Sequence, residues 1–397
     1  MERIGIYGGT FNPPHTGHIS AALQAAERLC LDRMLLIPTG ITPHKQLPAG
    51  SPNAGQRLEM LKIAAKSHKM LEISDLELRR EGKSYTYQTV LELKEQFPDA
   101  QLVLIMGTDM FLSFENWRNP DIILENASLG VMYRGEKDEA KAIAEKKVQM
   151  QAKGAKIELV ENKILRISST DLRRMLTFGC AAPFLPEGVG EYIRENGLYG
   201  SDRNYQGLTV EELEAEVLGL LKENRIAHVL GCRDTAVQLA KHWGADEIHA
   251  ARAALLHDVT KALDGPLQLT LCQEYGILLN SFSQKNTKTL HALTGSLVAR
   301  RVFGEEQAVV DAIRHHTTGK ADMNLLEKII YVADYMEPNR DFPGVDRLRE
   351  LAFSDIDAAL ALGLEMTITM LKGQGREVSP ESREALAWLQ RKERTVC

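Results

Sequence analysis

GIYGGTFNPPHTGH, residues 5–18, decides how the first half of the chain is read. A short apolar run reads as a strand. It passes into two glycines, a threonine, two prolines and two histidines three residues apart, then into a helix-like stretch, HISAALQAAERLC. Gly8 and Gly9 let backbone approach a phosphate closely. Thr16 to His18 fall near the start of the next helix, where unpaired N–H groups attract anions. His15 and His18 can both donate to phosphate oxygens. Two familiar phosphate loops are absent: there is no G-x-x-x-x-G-K-[ST], and no G-x-G-x-x-G follows the first strand. The bland alternative is a glycine turn with two surface histidines. H-x-G-H directly after the turn favours a phosphate site.

Outward from this stretch, RMLLIP, QLVLIMG, ASLGVMY and IELVEN are further strand candidates. Helix-like segments such as GQRLEMLKIAAKS and SSTDLRRMLTFG stand among them. Strand and helix in alternation predict an α/β domain with a Rossmann-like parallel sheet. Ligands in such folds collect at the carboxyl ends of the strands, where GGT and GTD fall. The pattern changes in NGLYGSDRNYQG, a polar segment with three glycines that reads as a linker. Thr209 then precedes Glu212 by three, a capping-box signature. From there to about Leu389 the periodicity is helical; Val259 to Leu263 imitates a strand but sits among helix formers. The expected organisation is an α/β domain over 1–196, a linker over 197–208 and an all-α domain over 209–397.

A length of 397 residues favours two domains over one core. Hydrophobic content of 44% and charged content of 26% are those of a globular protein, and a net charge of −6 gives no reason to expect nucleic-acid or membrane binding. The five cysteines (Cys30, Cys180, Cys232, Cys272, Cys397) are odd in number and form no C-x-x-C pair. That argues against a disulfide framework or a cysteine zinc site. With no apolar signal core in Met1 to Tyr7 and no run long enough to span a bilayer, a cytoplasmic location is expected. A homo-oligomer is compatible with the sequence.

GGTFNPPHTGH resembles the signature of the H-x-G-H nucleotidyltransferase superfamily. Several further stretches are similar to its bacterial nicotinate mononucleotide adenylyltransferase branch: TPHK (Thr42 to Lys45), GTDMFLSFENW (Gly107 to Trp117), the VMYR strand end at Arg134, and ISSTDLRRML (Ile167 to Leu176). EYIRENGLY resembles the end of that domain. The likeness covers roughly residues 1–200 in family order, with one departure, Asn12, where many members have aspartate. It implies attack by the 5′-phosphate of nicotinate mononucleotide on the α-phosphorus of ATP, with Mg2+ accompanying the nucleotide. The nucleophile's second pKa is about 6, so it is ionised at neutral pH and needs no general base. Positioning and charge stabilisation suffice. The resemblance implies His15, His18, Lys45 and Arg173 as the residues acting on the phosphates, with His18 nearest the transferring one. It implies nucleotide contacts from Gly8, Gly9, Thr10, Phe11, Gly107, Asp109, Trp117, Arg134, Ser168 and Ser169. Asp109 would hold a ribose hydroxyl, Trp117 would stack on the pyridine ring, and the two serines would bind the outgoing phosphates or simply cap their helix.

The helical half contains His228, then His257-Asp258, His291, His315-His316 and Asp334, with ALLHDVTK at its centre. Histidine and aspartate on an apolar helix are costly unless something compensates, and a metal does. Imidazole and carboxylate without thiolate suit iron, manganese, cobalt or another octahedral-leaning ion better than structural zinc. The order H…HD…D resembles the HD-domain phosphohydrolases. IAHVLG, HDVTK, HALTG, IRHHTTG and YVADYMEPNR are similar to the bacterial symmetrical diadenosine tetraphosphate hydrolases, over about 208–375. That likeness implies His228, His257, Asp258 and Asp334 as metal ligands. It implies His291, His315 and His316 as phosphate contacts or ligands of a second ion, and Arg225, Lys261 and Arg340 as partners of the remaining phosphate charge. Adjacent histidines on a regular helix point about 100° apart, so His315 and His316 need not serve the same ion.

The expected protein is therefore bifunctional: it makes nicotinate adenine dinucleotide and splits diadenosine tetraphosphate into two ADP. The alternatives are another adenylyl acceptor (nicotinamide mononucleotide or phosphopantetheine), or a helical half that senses a nucleotide without turnover.

Overall fold

The structure, a computed structural model, describes all 397 residues except 43–45, 134–136, 163–166 and 397, and for 137–138 and 393–396 it describes backbone only. Lys45 and Arg134 lie outside the described residues. The chain divides into two compact units, Met1–Arg203 and Asn204–Cys397.

In the first unit, β1 (Arg3–Gly9), β2 (Arg33–Pro38), β3 (Leu71–Ile73), β4 (Gln101–Gly107), β5 (Ala127–Tyr133) and β6 (Ile157–Glu161) form one sheet. Every strand pair is parallel, in the order β3-β2-β1-β4-β5-β6. This is the doubly wound order, in which the direction of winding reverses between β1 and β4. Both faces are covered, so the strands are apolar throughout rather than alternating. Met34 and Leu36 pack into one core with Ala22, Ala25 and Val103, while Leu35 and Ile37 pack into the other with Ile4, Leu104 and Phe111. Each fully buried Leu or Ile contributes roughly 1.5–3 kcal/mol relative to exposure. Five of the six strands coincide with sequence expectations; β3, three residues long, was not among them.

The second unit is helical. Thr209 caps Val210–Leu220 in a reciprocal box with Glu212, as its spacing predicts. Helices Glu223–Trp243, Glu247–Leu256, Leu290–Arg301, Gln307–His315 and Leu325–Met336 surround a histidine-rich centre. Residues 257–262 are turns, not a strand.

The segment expected as a linker is packed at both ends. Leu198 is buried in the first unit's core, and the Tyr199 hydroxyl donates to Asn12 Oδ1 at 2.7 Å. On the other side, Arg252 Nη1 donates to the Leu208 carbonyl at 2.6 Å, and Tyr205 meets Phe303 edge-on. The polar, glycine-rich composition reflects tight turns: Gly197, Tyr199 and Gly200 all have positive φ.

Candidate active sites

In the first unit, β1 ends at Gly9 and helix Thr16–Arg28 starts seven residues later, with His15 as its N-cap. The cap is a reciprocal box built from two histidines. The His18 N–H donates to His15 Nδ1 at 3.2 Å, and the His15 N–H donates to His18 Nδ1 at 3.2 Å. The two rings stack with centroids 3.5 Å apart. With both Nδ1 atoms accepting, each neutral ring carries its proton on Nε2, a donor suited to phosphate oxygen. Burial pushes His15 down to about 4, and burial together with His15 holds His18 well below the usual imidazole range. The site thus offers neutral N–H donors beside a helix N-terminus.

The loop between strand and helix is held from beneath. Phe11 adopts a positive φ of 45° and turns its ring inward, 1% exposed, against Tyr7 and His18 at centroid distances of 5.9 and 5.1 Å. Its expected role as a nucleotide contact is corrected for the side chain, which is core and backs the His18 ring. A Cβ on Gly8 or on Gly107 would meet nothing within 4 Å, so open space lies beside both strand ends.

Arg173 Nη1 donates to the Asn12 carbonyl at 2.7 Å and Nη2 to Thr170 Oγ1 at 3.1 Å. Ser169 Oγ donates to the Pro13 carbonyl at 3.1 Å. Ser168 is the N-cap of Ser169–Thr177, its Oγ accepting from the Asp171 N–H at 3.0 Å. Helix Ser169–Thr177 is thereby pinned to the H-x-G-H loop, which is 155 or more residues away in sequence. Asn12 itself accepts from Tyr199 and donates Nδ2 to Ser51 Oγ at 2.9 Å, so the amide uses both of its ends. Asp109 is exposed in helix Thr108–Leu112, directly after β4. Trp117 is half-buried against Phe114, with centroids 5.2 Å apart.

The second unit shows the opposite imidazole arrangement. His257, His291 and His316 each place Nδ1 on the carbonyl three residues earlier: Ala254 at 2.6 Å, Lys288 at 2.8 Å and Ile313 at 2.7 Å. His228 Nδ1 meets Glu337 Oε1 at 3.1 Å. A carbonyl only accepts, so in His257, His291 and His316 Nδ1–H is the donor and Nε2 carries the lone pair. The Nε2 atoms converge. His228 and His257 approach Nε2 to Nε2 at 3.2 Å, and so do His291 and His316. Asp334 Oδ1 lies 3.1 Å from His228 Nε2, and Asp258 Oδ2 lies 3.5 Å from His257 Nε2. Burial keeps His257 and His291 neutral far below the usual range and pushes His316 down to about 4.

Facing acceptors with no proton between them repel unless a cation lies among them. Asp258 adds a second sign: it is fully buried, and its Oδ1 accepts no hydrogen bond. The atoms of His228, His257 and Asp334, and those of His257, Asp258 and His316, lie within 4.8 Å of one another. Neutral imidazole nitrogens and ionised carboxylates are the donor set a divalent ion requires.

Arg225 bonds Asp258 Oδ2, and Arg340 Nη2 reaches Asp334 Oδ1 at 2.7 Å. Lys261 Nζ stands 3.3 Å from Asp258 Oδ1, and burial pushes its ammonium down to about 8. These three cations border the cluster. His315 does not join it: its Nδ1 lies 2.7 Å from the fully buried Glu327, which Lys320 also reaches at 3.0 Å. Its Nδ1 is directed to Glu327, whereas its neighbour His316 faces the centre.

Two buried charged side chains beside these sites escape the sequence reading. Glu337 orients His228 and is itself held by the N–H and side chain of Asn339, both at 2.8 Å. Arg57 ties together the strand ends beneath the first loop. YMEPNR contains Glu337 but carries no spacing signal for it.

Residues 6–175 match the cytidylyltransferase-like family and residues 225–339 match the HD domain. A probable nicotinate-nucleotide adenylyltransferase of Exiguobacterium sibiricum is 33% identical over 201 residues, 50% of this chain and 100% of that protein. A symmetrical bis(5'-nucleosyl)-tetraphosphatase of Halalkalibacterium halodurans is 40% identical over 168 residues, 41% of this chain and 87% of that protein. A solved HD superfamily hydrolase from Clostridium acetobutylicum is 37% identical and covers 47% of this chain and 98% of its own, with a TM-score of 0.45.

Fold and sites define a nucleotidyltransferase domain followed by an HD hydrolase domain that binds a divalent metal. The chain belongs to the nicotinate-nucleotide adenylyltransferase family through its first half, and through its second to the HD-domain family that includes the symmetrical bis(5'-nucleosyl)-tetraphosphatases. No helix among the described residues is long and apolar enough to cross a membrane.

Proposed function

We propose that this chain transfers AMP from ATP to nicotinate mononucleotide, and separately hydrolyses diadenosine tetraphosphate to two ADP. The observation that carries the proposal is the opposed tautomers. Nε2–H donors in the first unit suit phosphate, and Nε2 lone pairs in the second suit a metal.

In the transferase, the nucleophile is a phosphate oxygen of the mononucleotide. It bonds to the α-phosphorus of ATP as the bond to the β-phosphate oxygen breaks, and pyrophosphate leaves with its electron pair. His18 Nε2–H, with His15 beside it, donates to the transferring phosphate and becomes more valuable as charge gathers there. Arg173 and the start of helix Ser169–Thr177 face the departing phosphates, and Mg2+ accompanies ATP as part of the substrate. Asp109 holds a ribose hydroxyl and Trp117 stacks on the pyridine. Lys45 is assigned to the phosphates and Arg134 to the nucleotide, both through family likeness alone.

In the hydrolase, His228, His257, Asp258 and Asp334 would hold the first ion, and His291 and His316 would hold phosphate or a second ion. Iron is the favoured identity, with manganese or cobalt as substitutes. A divalent ion supplies a lowered water pKa and a polarised phosphoryl oxygen. Arg225, Lys261 and Arg340 neutralise the polyphosphate, and water adds across one central phosphoanhydride to give two ADP.

The test is to give the purified chain nicotinate mononucleotide with Mg-ATP, and diadenosine tetraphosphate in a parallel tube. Dinucleotide with pyrophosphate in one and ADP in the other supports both assignments. Adenylylation of nicotinamide mononucleotide or phosphopantetheine in preference to the nicotinate substrate would overturn the first, and tight binding of the tetraphosphate without cleavage would overturn the second.

A further inference from the structure

In GQRLEMLKIAAKS, a helix-like segment, an arginine is ordinarily a surface residue. Arg57, on helix Ala54–Ala65, is instead 1% exposed. Its Nη1 donates to the Thr10 carbonyl at 2.7 Å, and its Nη2 to the Thr39 carbonyl at 2.8 Å and the Gly40 carbonyl at 3.4 Å. Nε is buried and makes no hydrogen bond. Thr10 follows β1 and Thr39 follows β2, so one guanidinium ties the two strand ends from which the phosphate loop departs.

The charge of Arg57 meets backbone carbonyls. Among the described residues no carboxylate forms an ion pair with it, and the Tyr199 phenol is the titratable group that bears on it. Two other part-buried arginines are paired with carboxylates, Arg80 with Glu92 and Arg252 with Glu305, both at 2.7 Å, whereas Arg173, like Arg57, bonds a carbonyl of the loop. Removing a guanidinium from water without a counter-charge is strongly unfavourable. Carbonyl acceptors alone do not require a cation; a neutral amide could satisfy at least one of them. With His15 and His18 neutral, Arg57 and Arg173 are the fixed cations among the described residues that bond to the loop's carbonyls.

Three carbonyls of the loop are engaged from within the protein. The Gly9 carbonyl accepts from the Thr39 N–H at 2.8 Å, the Thr10 carbonyl from Arg57 and the Asn12 carbonyl from Arg173. Backbone dipoles whose negative ends are bound to buried cations leave their positive ends for an anion.

We infer that Arg57 is a positioning residue of the adenylyl-transfer site. It fixes the Thr10 carbonyl, and its unpaired charge is completed by the triphosphate of ATP rather than by a protein carboxylate. This rests on the assignment of the first half to ATP.

The experiment titrates the full-length chain and its Arg57→Met and Arg57→Lys variants with inorganic tripolyphosphate by calorimetry, at two ionic strengths, and follows synthesis kinetics alongside. The expected result for Arg57→Met is a roughly tenfold loss of tripolyphosphate affinity, the effect of one partly screened charge, with a matching rise in KM for ATP. KM for nicotinate mononucleotide stays unchanged. Arg57→Lys keeps the charge but not the fork that spans two strand ends. It should restore tripolyphosphate affinity while kcat stays low. Should Arg57→Met fail to fold, Arg57→Lys decides: near-normal affinity with reduced kcat supports the inference, and unchanged kcat overturns it. Equal tripolyphosphate binding by wild type and Arg57→Met overturns it as well. A wild-type chain that binds no tripolyphosphate would instead remove the assignment of the first half, a separate failure.

Discussion

His15 and His18 cap the same helix reciprocally, each Nδ1 accepting the backbone N–H of the other while their rings stack 3.5 Å apart. A capping box is ordinarily built from a hydroxyl and a carboxylate or amide. Imidazoles make the same two hydrogen bonds and retain a second nitrogen on the far edge of each ring. The helix start and the phosphate donors are thus one structure, and loss of either ring disturbs both functions.

The donor role predicts that His18→Ala lowers kcat for dinucleotide formation by at least about 100-fold, the scale for removing one transition-state donor. The cap lost with it costs about 1 kcal/mol of stability. Stopped-time product analysis with circular dichroism checks both. Retention of most turnover by a folded variant would count heavily against the mechanism.

The buried imidazoles also predict an acid-sensitive first unit. His15 titrates at about 4 in the fold against 6.5 for the free group. Above 6.5 both states are neutral and the group contributes no pH dependence. As pH falls from 6.5 toward 4 the unfolded chain takes up the proton first, and stability drops by about 3 kcal/mol. His15→Gln keeps an acceptor for the cap but has nothing to protonate. Urea midpoints of the two proteins from pH 7 to 4 should therefore converge, or cross, as the pH falls. A constant gap would refute the assignment.

Independence of the two chemistries predicts a clean separation. Asp258→Ala should lose bound metal and tetraphosphate hydrolysis together while dinucleotide synthesis continues at the wild-type rate. Elemental analysis and both product assays on one preparation decide this. Equal loss of synthesis would defeat the two-site account.

Glu337 predicts an effect at a distance through a glycine. A Cβ on Gly231 would lie 2.5 Å from Glu337 Oε2 and 3.1 Å from Asn339 Nδ2. Gly231→Ala is favourable for helix Glu223–Trp243 by about 1 kcal/mol on propensity alone, yet it must displace the carboxylate that orients His228. Metal affinity should fall about 10–100-fold, as for other losses of a ligand's hydrogen-bond partner, and Glu337→Gln should fall in the same direction. Competition against a chelator measures it; wild-type affinity in both variants would show that His228 needs no such partner.

Much of this architecture was legible in the sequence because strand length and apolar continuity are strong signals when both faces of a sheet are buried. β3 was not: three residues with Glu72 in the middle carry no period, and the strand exists because Met34 to Leu36 offer it an edge. Motif order located the histidines but not their directions. The helix rotation that separates adjacent side chains gives His316 to the centre and His315 to Glu327. Phe11 sits inside a binding motif yet points into the core, because a left-handed residue in the loop reverses the side of its ring. Arg57 and Glu337 stayed hidden for a common reason. A charged residue on an amphipathic segment reads as solvated, and only the fold shows that strand ends or an imidazole require it inside.

The most direct test of the account is the product pattern from diadenosine tetraphosphate, using chain purified without chelators under low oxygen and resolved by chromatography. The account predicts ADP as the sole nucleotide product, dependent on Asp258. AMP together with ATP would place the attack at the wrong phosphorus and contradict the symmetrical assignment, and absence of cleavage by metal-loaded protein would contradict a hydrolytic role for the second unit.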